Sequence, residues 1–345
     1  MNAAPNSLVI VIPSYNDWES LRLLLPILDR TLVDSQRRTS VLVVDDASTE
    51  PLPQNWPGKS FRAIESVEIL HLRCNLGHQR AIALGLYQVH EFLHASAVVI
   101  MDADGEDRAE DVATLLAEFD QGGEGSVVFA ARTKRMEGLA FRFCYQAYRT
   151  VHRMLTGVEV RVGNFSVVSR AALTRLMAAS DLWNHYAAAV HRAKLPRRTV
   201  PLARGARLAG ESKMNLVSLL VHGLTAMSVF SDQVSARLLA ASAGFAALAL
   251  GIVAVTVGVG SLTGLATRGW AIYAIGTLLG LVLQLMTFAT LFAFMIVSRR
   301  SSVSFILQRD APYFILGKTA AAGQSQLAQL ARALEQEEPP VRAAQ

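Results

Sequence analysis

The stretch VVIMDADGED, residues 98–107, sets an unbroken apolar run directly before a loop crowded with carboxylates. A short apolar run without alternation suits a strand buried on both faces. The same succession recurs at Leu8 to Ile12, followed by Pro13 to Asp17, and at Val41 to Val44, followed by Asp45 to Ser48. Val67 to Leu70 and Val127 to Ala130 read as further strands, and Ser20 to Leu32, Gln79 to Leu93 and Ala109 to Phe119 as amphipathic helices between them. Such alternation predicts an α/β fold, a mostly parallel sheet with helices on both faces. Ligands of such sheets gather beyond the carboxyl ends of the strands. Asp17, Asp45, Asp46, Asp102 and Asp104 all fall there, where desolvating a carboxylate is costly unless something binds it. Farther on, the pattern predicts a helix over Leu139 to Thr156, a short strand over Phe165 to Val168 and a helix beginning near Arg170.

With 345 residues, 52% hydrophobic and 18% charged, the chain has apolar residues beyond the needs of one soluble core. The surplus lies in Leu238 to Thr267 and Gly269 to Ser298, neither of which contains Asp, Glu, Lys or Arg. Each exceeds the roughly 20 residues that a helix needs to cross a bilayer. Arg237 precedes the first run and Arg299, Arg300 and Arg309 follow the second, against a lone Arg268 in the turn. The positive-inside rule places both ends of the chain in the cytoplasm. Leu8 to Ile12 is too short for the apolar region of a secretory signal and lacks basic residues before it. Cys74 and Cys144 therefore lie on the reducing side, where a structural disulfide is not expected. The organisation expected is a domain over 1–212, an amphipathic juxtamembrane helix over 213–233, two transmembrane helices within 236–298 and a cytosolic tail over 299–345. Gly251, Gly258 and Gly264 offer small faces through which spans of a homo-oligomer could pack.

The net charge of +5 raises the question of nucleic acid. The basic residues crowd Lys194, Arg197, Arg198, Arg204, Arg207 and Lys213, just before the apolar runs and without interleaved aromatics. That placement suits anionic headgroups or a lipid phosphate, and no nucleic-acid partner is expected. Asp102 and Asp104, one residue apart at a strand end, suit a hard divalent cation bridged to a diphosphate. Asp107 reads as the cap of the helix near Ala109.

IPSYND (12–17), VVDDAS (43–48), RCNLGHQRAIALGL (73–86), MDADGED (101–107) and RLAGESKM (207–214) occur in that order. Together they resemble the family 2 inverting glycosyltransferases, above all the polyprenyl-phosphate branch that includes dolichyl-phosphate mannose synthases and undecaprenyl-phosphate glycosyltransferases. The resemblance implies a GT-A, Rossmann-like nucleotide-sugar domain with bound Mg²⁺ or Mn²⁺. It implies that Pro13, Tyr15, Asp17 and Asp45 or Asp46 hold the nucleoside, and that Asp102 and Asp104 hold metal and diphosphate. Arg132 and Arg142 match positions associated with the acceptor phosphate, as do Arg207 and Lys213, where the guanidinium fork suits phosphate oxygens. The expected reaction moves a sugar from a UDP- or GDP-type donor to polyprenyl phosphate with inversion.

The chain departs from the family pattern at Asp17, where Glu is usual, at Glu106, where many members have Gln, and at Asn164, which stands where an Asp is often proposed as catalytic. Asn cannot take a proton as a base does. A phosphate monoester, with its second pKa near 6, is already ionised at neutral pH and needs placement more than deprotonation. A catalytically silent nucleotide-binding scaffold is the alternative that Asn164 supports. A processive polysaccharide synthase is a further one, although no Arg-Trp pair of the kind such enzymes carry occurs. His78 and His185 read as structural, and Trp183 and Tyr186 as either sugar platforms or packing.

Overall fold

The computed structural model of the chain describes residues 6–322 apart from 55, 58–59, 123–124, 134–138, 159–161, 211–222, 264–268 and 302–304. The apolar runs are strands: β1 (Ser7–Ser14), β2 (Arg38–Asp45), β3 (Ile64–Leu72), β4 (Ala97–Ile100) and β5 (Val127–Thr133). With β6 (Val162–Ser169), β7 (Arg197–Ala203) and β8 (Ile315–Ala322) they form an eight-stranded sheet in the order β7-β5-β6-β4-β1-β2-β3-β8. β3, β2, β1 and β4 run parallel, as do β5 and β7, whereas β6 and β8 are antiparallel to their neighbours. This is the mostly parallel α/β architecture that the alternating pattern predicts.

The unbroken apolar runs have a packing cause, because successive side chains of a strand point to opposite faces and both faces are covered. Leu8, Ile10 and Ile12 join Leu21, Leu24, Leu25 and Leu28 of α1 (Trp18–Leu32) and Val112 and Leu115 of α3 (Asp111–Gln121). Val9 and Val11 face the other way, against Ala81, Leu84 and Leu86 of α2 (His78–Gln88) and residues of α5 (Arg170–Met177) and α6 (Tyr186–Arg192). Gly85 lets α2 approach closely, since a Cβ there would lie 2.5 Å from Val11 Cγ1 and 2.8 Å from Val44 Cγ2.

Two edge strands lie outside the runs read as strands. β7 is largely exposed, so its sequence carries no apolar run. β8 follows the apolar helices and pairs antiparallel with β3, with Gly317 opposite His71. The segment expected only as a tail therefore contributes to the sheet, and Leu307 and Ala311 ahead of β8 are buried in the core.

Residue contacts divide the chain into one unit of 1–136, 160–225 and 305–345 and a second of 137–159 and 226–304. The second contains α4 (Leu139–Thr156) and two long helices, Ser231–Thr263 and Gly269–Ser301. Two stretches, Ser231–Val259 and Ile272–Met295, are long and apolar enough to cross a membrane. Only 11% and 6% of their most apolar windows are buried, unlike a core helix of a soluble protein. Arg237 Nη1 donates to the Met154 carbonyl at 2.7 Å, tying the first long helix to the end of α4. A Cβ at Gly251 or Gly258 would meet open space, while Gly264 lies outside the described residues, as do residues 213–222 of the expected 213–233 helix.

Candidate active site

Parallel register brings the carboxyl ends of β1, β2 and β4 to one edge of the sheet, with Ser14 opposite Asp45. The β1 and β2 loops are laced together by Asn16, whose backbone takes a positive φ of 52°. Its Oδ1 accepts the N–H groups of Thr49 (2.9 Å) and Glu50 (3.0 Å), and its own N–H donates to Ser48 Oγ (2.9 Å). Pro13 is buried in β1 beside Val44, while Tyr15 and Asp17 are half-buried in the loop.

Asp45 and Asp46 are both buried but serve different neighbours. Asp45 Oδ1 accepts the Ser48 N–H at 2.9 Å, and Oδ2 lies 3.0 Å from His71 Nδ1. Asp46 accepts the N–H groups of Leu76 (2.7 Å) and Gly77 (2.8 Å), which fixes the entry into α2. Burial pushes the Asp46 pKa above its ordinary value, and those amides only partly offset it.

The DADG loop after β4 holds Asp102 and Asp104 and is locked from within and without. Asp107 Oδ2 accepts the Asp102 N–H at 3.0 Å, and α3 begins at Asp111. Asp107 is thus a brace of the carboxylate loop rather than the expected helix cap. Gly105 has φ +84°, and a Cβ there would lie 2.4 Å from Leu208 Cγ, so only glycine admits the 204–208 segment this close. The Leu208 N–H donates to the Asp104 carbonyl (2.8 Å) and the Gly205 N–H to the Glu106 carbonyl (2.9 Å).

Arg207 rides on that segment. Its Nη2 donates to Asp104 Oδ2 at 2.9 Å, and its Nη1 lies 3.7 Å from Asp17 Oδ1. One guanidinium therefore joins a carboxylate of the β1 loop to one of the β4 loop. Arg204 pairs with Glu106, and Arg198 with Glu118 at 2.8 Å. Three cations of the stretch expected to face anionic headgroups thus have carboxylate partners within the domain. Arg132 lies at the end of β5, paired in register with Leu202. Arg142 lies on α4, in the second unit, and Lys213 lies outside the described residues.

Asn164, on β6, belongs to a polar chain whose direction one backbone amide sets. Tyr186 N–H donates to Gln79 Oε1 at 2.8 Å, so Gln79 Nε2 donates to Asn164 Oδ1 at 3.1 Å. Asn164 Nδ2 then faces His78 Nε2 at 2.9 Å, and the same ring nitrogen lies 3.2 Å from Asp102 Oδ1. The Asn164 carbonyl is already engaged, and its N–H₂ side looks toward the carboxylate loop. At His78, an exposed side chain, partial loss of water works against the imidazolium, but Asp102, with Asp107 and Asp104 behind it, outweighs this and holds the pKa above the ordinary value.

His78 and Gln79 were not legible as site residues, because a lone polar residue at a helix start has no spacing signature; their one signal is membership of the RCNLGHQRAIALGL segment. His185 is the N-cap of α6, the structural role expected of it. Trp183 stacks on Phe305 with centroids 4.0 Å apart, and Tyr186 is fully buried with its hydroxyl 2.7 Å from Ser166 Oγ. Both aromatics are packing residues.

Asp102 and Asp104 are hard oxygen donors, and among the described residues no cluster of three or more His, Cys, Asp and Glu could hold a metal. That donor set fits Mg²⁺ or Mn²⁺ held by one or two carboxylates, with substrate phosphates and water completing the shell. The guanidinium of Arg207 stands against Asp104, where the local charge favours a cation.

The sequence model described as Glycosyl transferase family 2 matches residues 9–182. Uncharacterized glycosyltransferase YkcC of Bacillus subtilis is 27% identical over 233 residues, 65% of this chain and 68% of its own. Undecaprenyl-phosphate 4-deoxy-4-formamido-L-arabinose transferase of Photorhabdus laumondii is 29% identical over 166 residues, 47% of each chain. Among solved structures, glucosyl-3-phosphoglycerate synthase from Mycobacterium tuberculosis, in complex with Mn²⁺, UDP and phosphoglyceric acid, is similar at a TM-score of 0.45. It has 14% identity and covers 67% of this chain and 79% of that one.

Proposed function

Because the chain belongs to glycosyl transferase family 2, we propose that it transfers a sugar from a UDP- or GDP-type nucleotide sugar to polyprenyl phosphate, with inversion at the anomeric carbon. The observation that carries this reading is the convergence of Asp17, Asp45, Asp46, Asp102 and Asp104 at the carboxyl ends of β1, β2 and β4, with Arg207 between two of them. The relatives named for undecaprenyl phosphate and the two apolar helices support the lipid acceptor.

In this reading the β1 and β2 loops hold the nucleoside through Pro13, Tyr15, Asp17 and Asp45, and Asp46 fixes the start of α2. Mg²⁺ or Mn²⁺ held by Asp102 and Asp104 would neutralise charge on the departing diphosphate. An oxygen of the acceptor phosphate attacks the anomeric carbon as the bond from that carbon to the diphosphate oxygen breaks. The products are the sugar phosphodiester of the polyprenol and a nucleoside diphosphate. The acceptor arrives ionised, so no side chain has to remove a proton, and Asn164 is compatible with turnover. Arg132, Arg142, Arg207 and Lys213 are the cations assigned to the acceptor phosphate. The domain and both ends lie on the cytosolic side of the membrane, and the open faces at Gly251 and Gly258 suit packing between protomers.

Membranes containing the protein, incubated with polyprenyl phosphate and a panel of labelled nucleotide sugars, test the proposal. One donor should give a labelled lipid whose anomeric configuration is opposite to that of the donor. Retention of configuration, or label passing only into a polymer, contradicts it.

A further inference from the structure

Asp45 is braced from a part of the chain reached only after both apolar helices. His71 Nδ1 lies 3.0 Å from Asp45 Oδ2, and His71 Nε2 lies 2.9 Å from Thr319 Oγ1. An ionised carboxylate only accepts, so Nδ1 carries the proton, and in the neutral ring Nε2 accepts from the Thr319 hydroxyl. The opposite oxygen of Asp45 accepts the Ser48 N–H at 2.9 Å. With both oxygens engaged, the carboxylate has one orientation, and its remaining lone pairs are aimed.

Thr319 is itself held in place by β8. Ile69 pairs with Thr319 and His71 with Gly317 across the β3–β8 ladder. Lys318 Nζ donates to Glu68 Oε2 at 3.0 Å, and the Arg73 N–H donates to the Phe314 carbonyl at 2.9 Å. Phe305 stacks on Trp183, and Leu307 and Ala311 are buried. The strand is therefore a docked part of the sheet, and its hydroxyl meets the imidazole in a fixed register.

We propose that Thr319 is a positioning residue for nucleotide recognition, acting through His71 to orient Asp45, so that the segment following the membrane helices takes part in holding the donor. The inference rests on the reading of Asp45 as a nucleoside-binding carboxylate. A preset carboxylate meets a donor N–H of the base without first losing rotational freedom.

The test is calorimetric titration of full-length protein in detergent with UDP, GDP and inorganic diphosphate, each with Mn²⁺. Thr319→Val should weaken the nucleoside diphosphate that binds by about threefold to tenfold, the range of one neutral hydrogen bond. It should leave inorganic diphosphate unchanged, and Thr319→Ser, which keeps the hydroxyl, should restore the affinity. In an Asp45→Asn background, Thr319→Val should have no additional effect. Thr319 is exposed, so valine creates no buried defect. Unchanged nucleotide affinity in Thr319→Val, or equal losses for nucleotide and inorganic diphosphate, overturns the inference while leaving the role of Asp45 intact. Wild-type affinity in Asp45→Asn, or no nucleotide binding by the unaltered protein, overturns both.

Discussion

Asp104 receives the Glu106 N–H on one oxygen and Arg207 on the other, so its carboxylate is both a site group and a clasp between loops. Asp104→Ala should weaken Mn²⁺-dependent nucleotide binding by about tenfold or more, the scale of a lost charge-assisted contact. Titration with nucleotide in the presence and absence of Mn²⁺ checks this, and an unchanged metal-dependent affinity sinks the assignment. Asn164 bears on whether the site is active at all. A restored general base would raise a base-limited rate by about 10²-fold or more. With an ionised phosphate as nucleophile, Asn164→Asp should change transfer far less, and like-charge repulsion with the acceptor opposes any gain. Transfer by the unaltered protein should climb through the second ionisation of the acceptor, near pH 6, and then level off. A pH series for both proteins measures this; a natural protein inert at every pH, revived by Asn164→Asp, means a silent scaffold. The strand-end carboxylates were legible in the sequence because each lies in a segment that directly follows an apolar run. Asn16, Gln79, His71 and His78 were not, since their partners lie 26 or more residues away and only the sheet brings them together.

At the scale of elements, legibility followed burial. β1 to β5 and α1 to α4 stand where the apolar runs and amphipathic periods predicted them, because both faces of the central strands are covered. β7 and β8 escaped notice because edge strands are half exposed and need no apolar run. β8, whose own ILGKTAAA is rich in small residues, also lies far from its partner β3, and nothing local announces a pairing across about 250 residues. If the post-span segment is a working part of the domain, Leu307→Ala should destabilise it by about 2–5 kcal/mol, as for other buried leucines. Denaturant unfolding of the purified protein, followed by tryptophan fluorescence of Trp18, Trp56 and Trp183, provides the measurement. An unchanged midpoint would mean that residues 305–322 contribute little. The same packing modifies what a truncation before the apolar helices would do: it removes β8 together with the spans, so poor nucleotide binding by such a fragment would reflect a damaged sheet edge.

At the scale of the molecule, a carboxylate-lined sheet edge and two exposed apolar helices occur in one chain, and the proposed lipid-phosphate acceptor would give both a purpose. In that proposal, anchoring by the two helices would raise the effective concentration of domain and acceptor at one surface without adding a contact. In the proposed reaction the nucleophile is a phosphate oxygen and not a hydroxyl. The direct measurement compares polyprenyl phosphate with the free polyprenol of the same length, each in vesicles with the purified protein, Mn²⁺ and the labelled donor that the membrane panel identifies. Labelled lipid should form with the phosphate and not with the alcohol, because Asn164 cannot take up a hydroxyl proton. Equal transfer to the alcohol, or donor binding without transfer to the phosphate, would contradict the account.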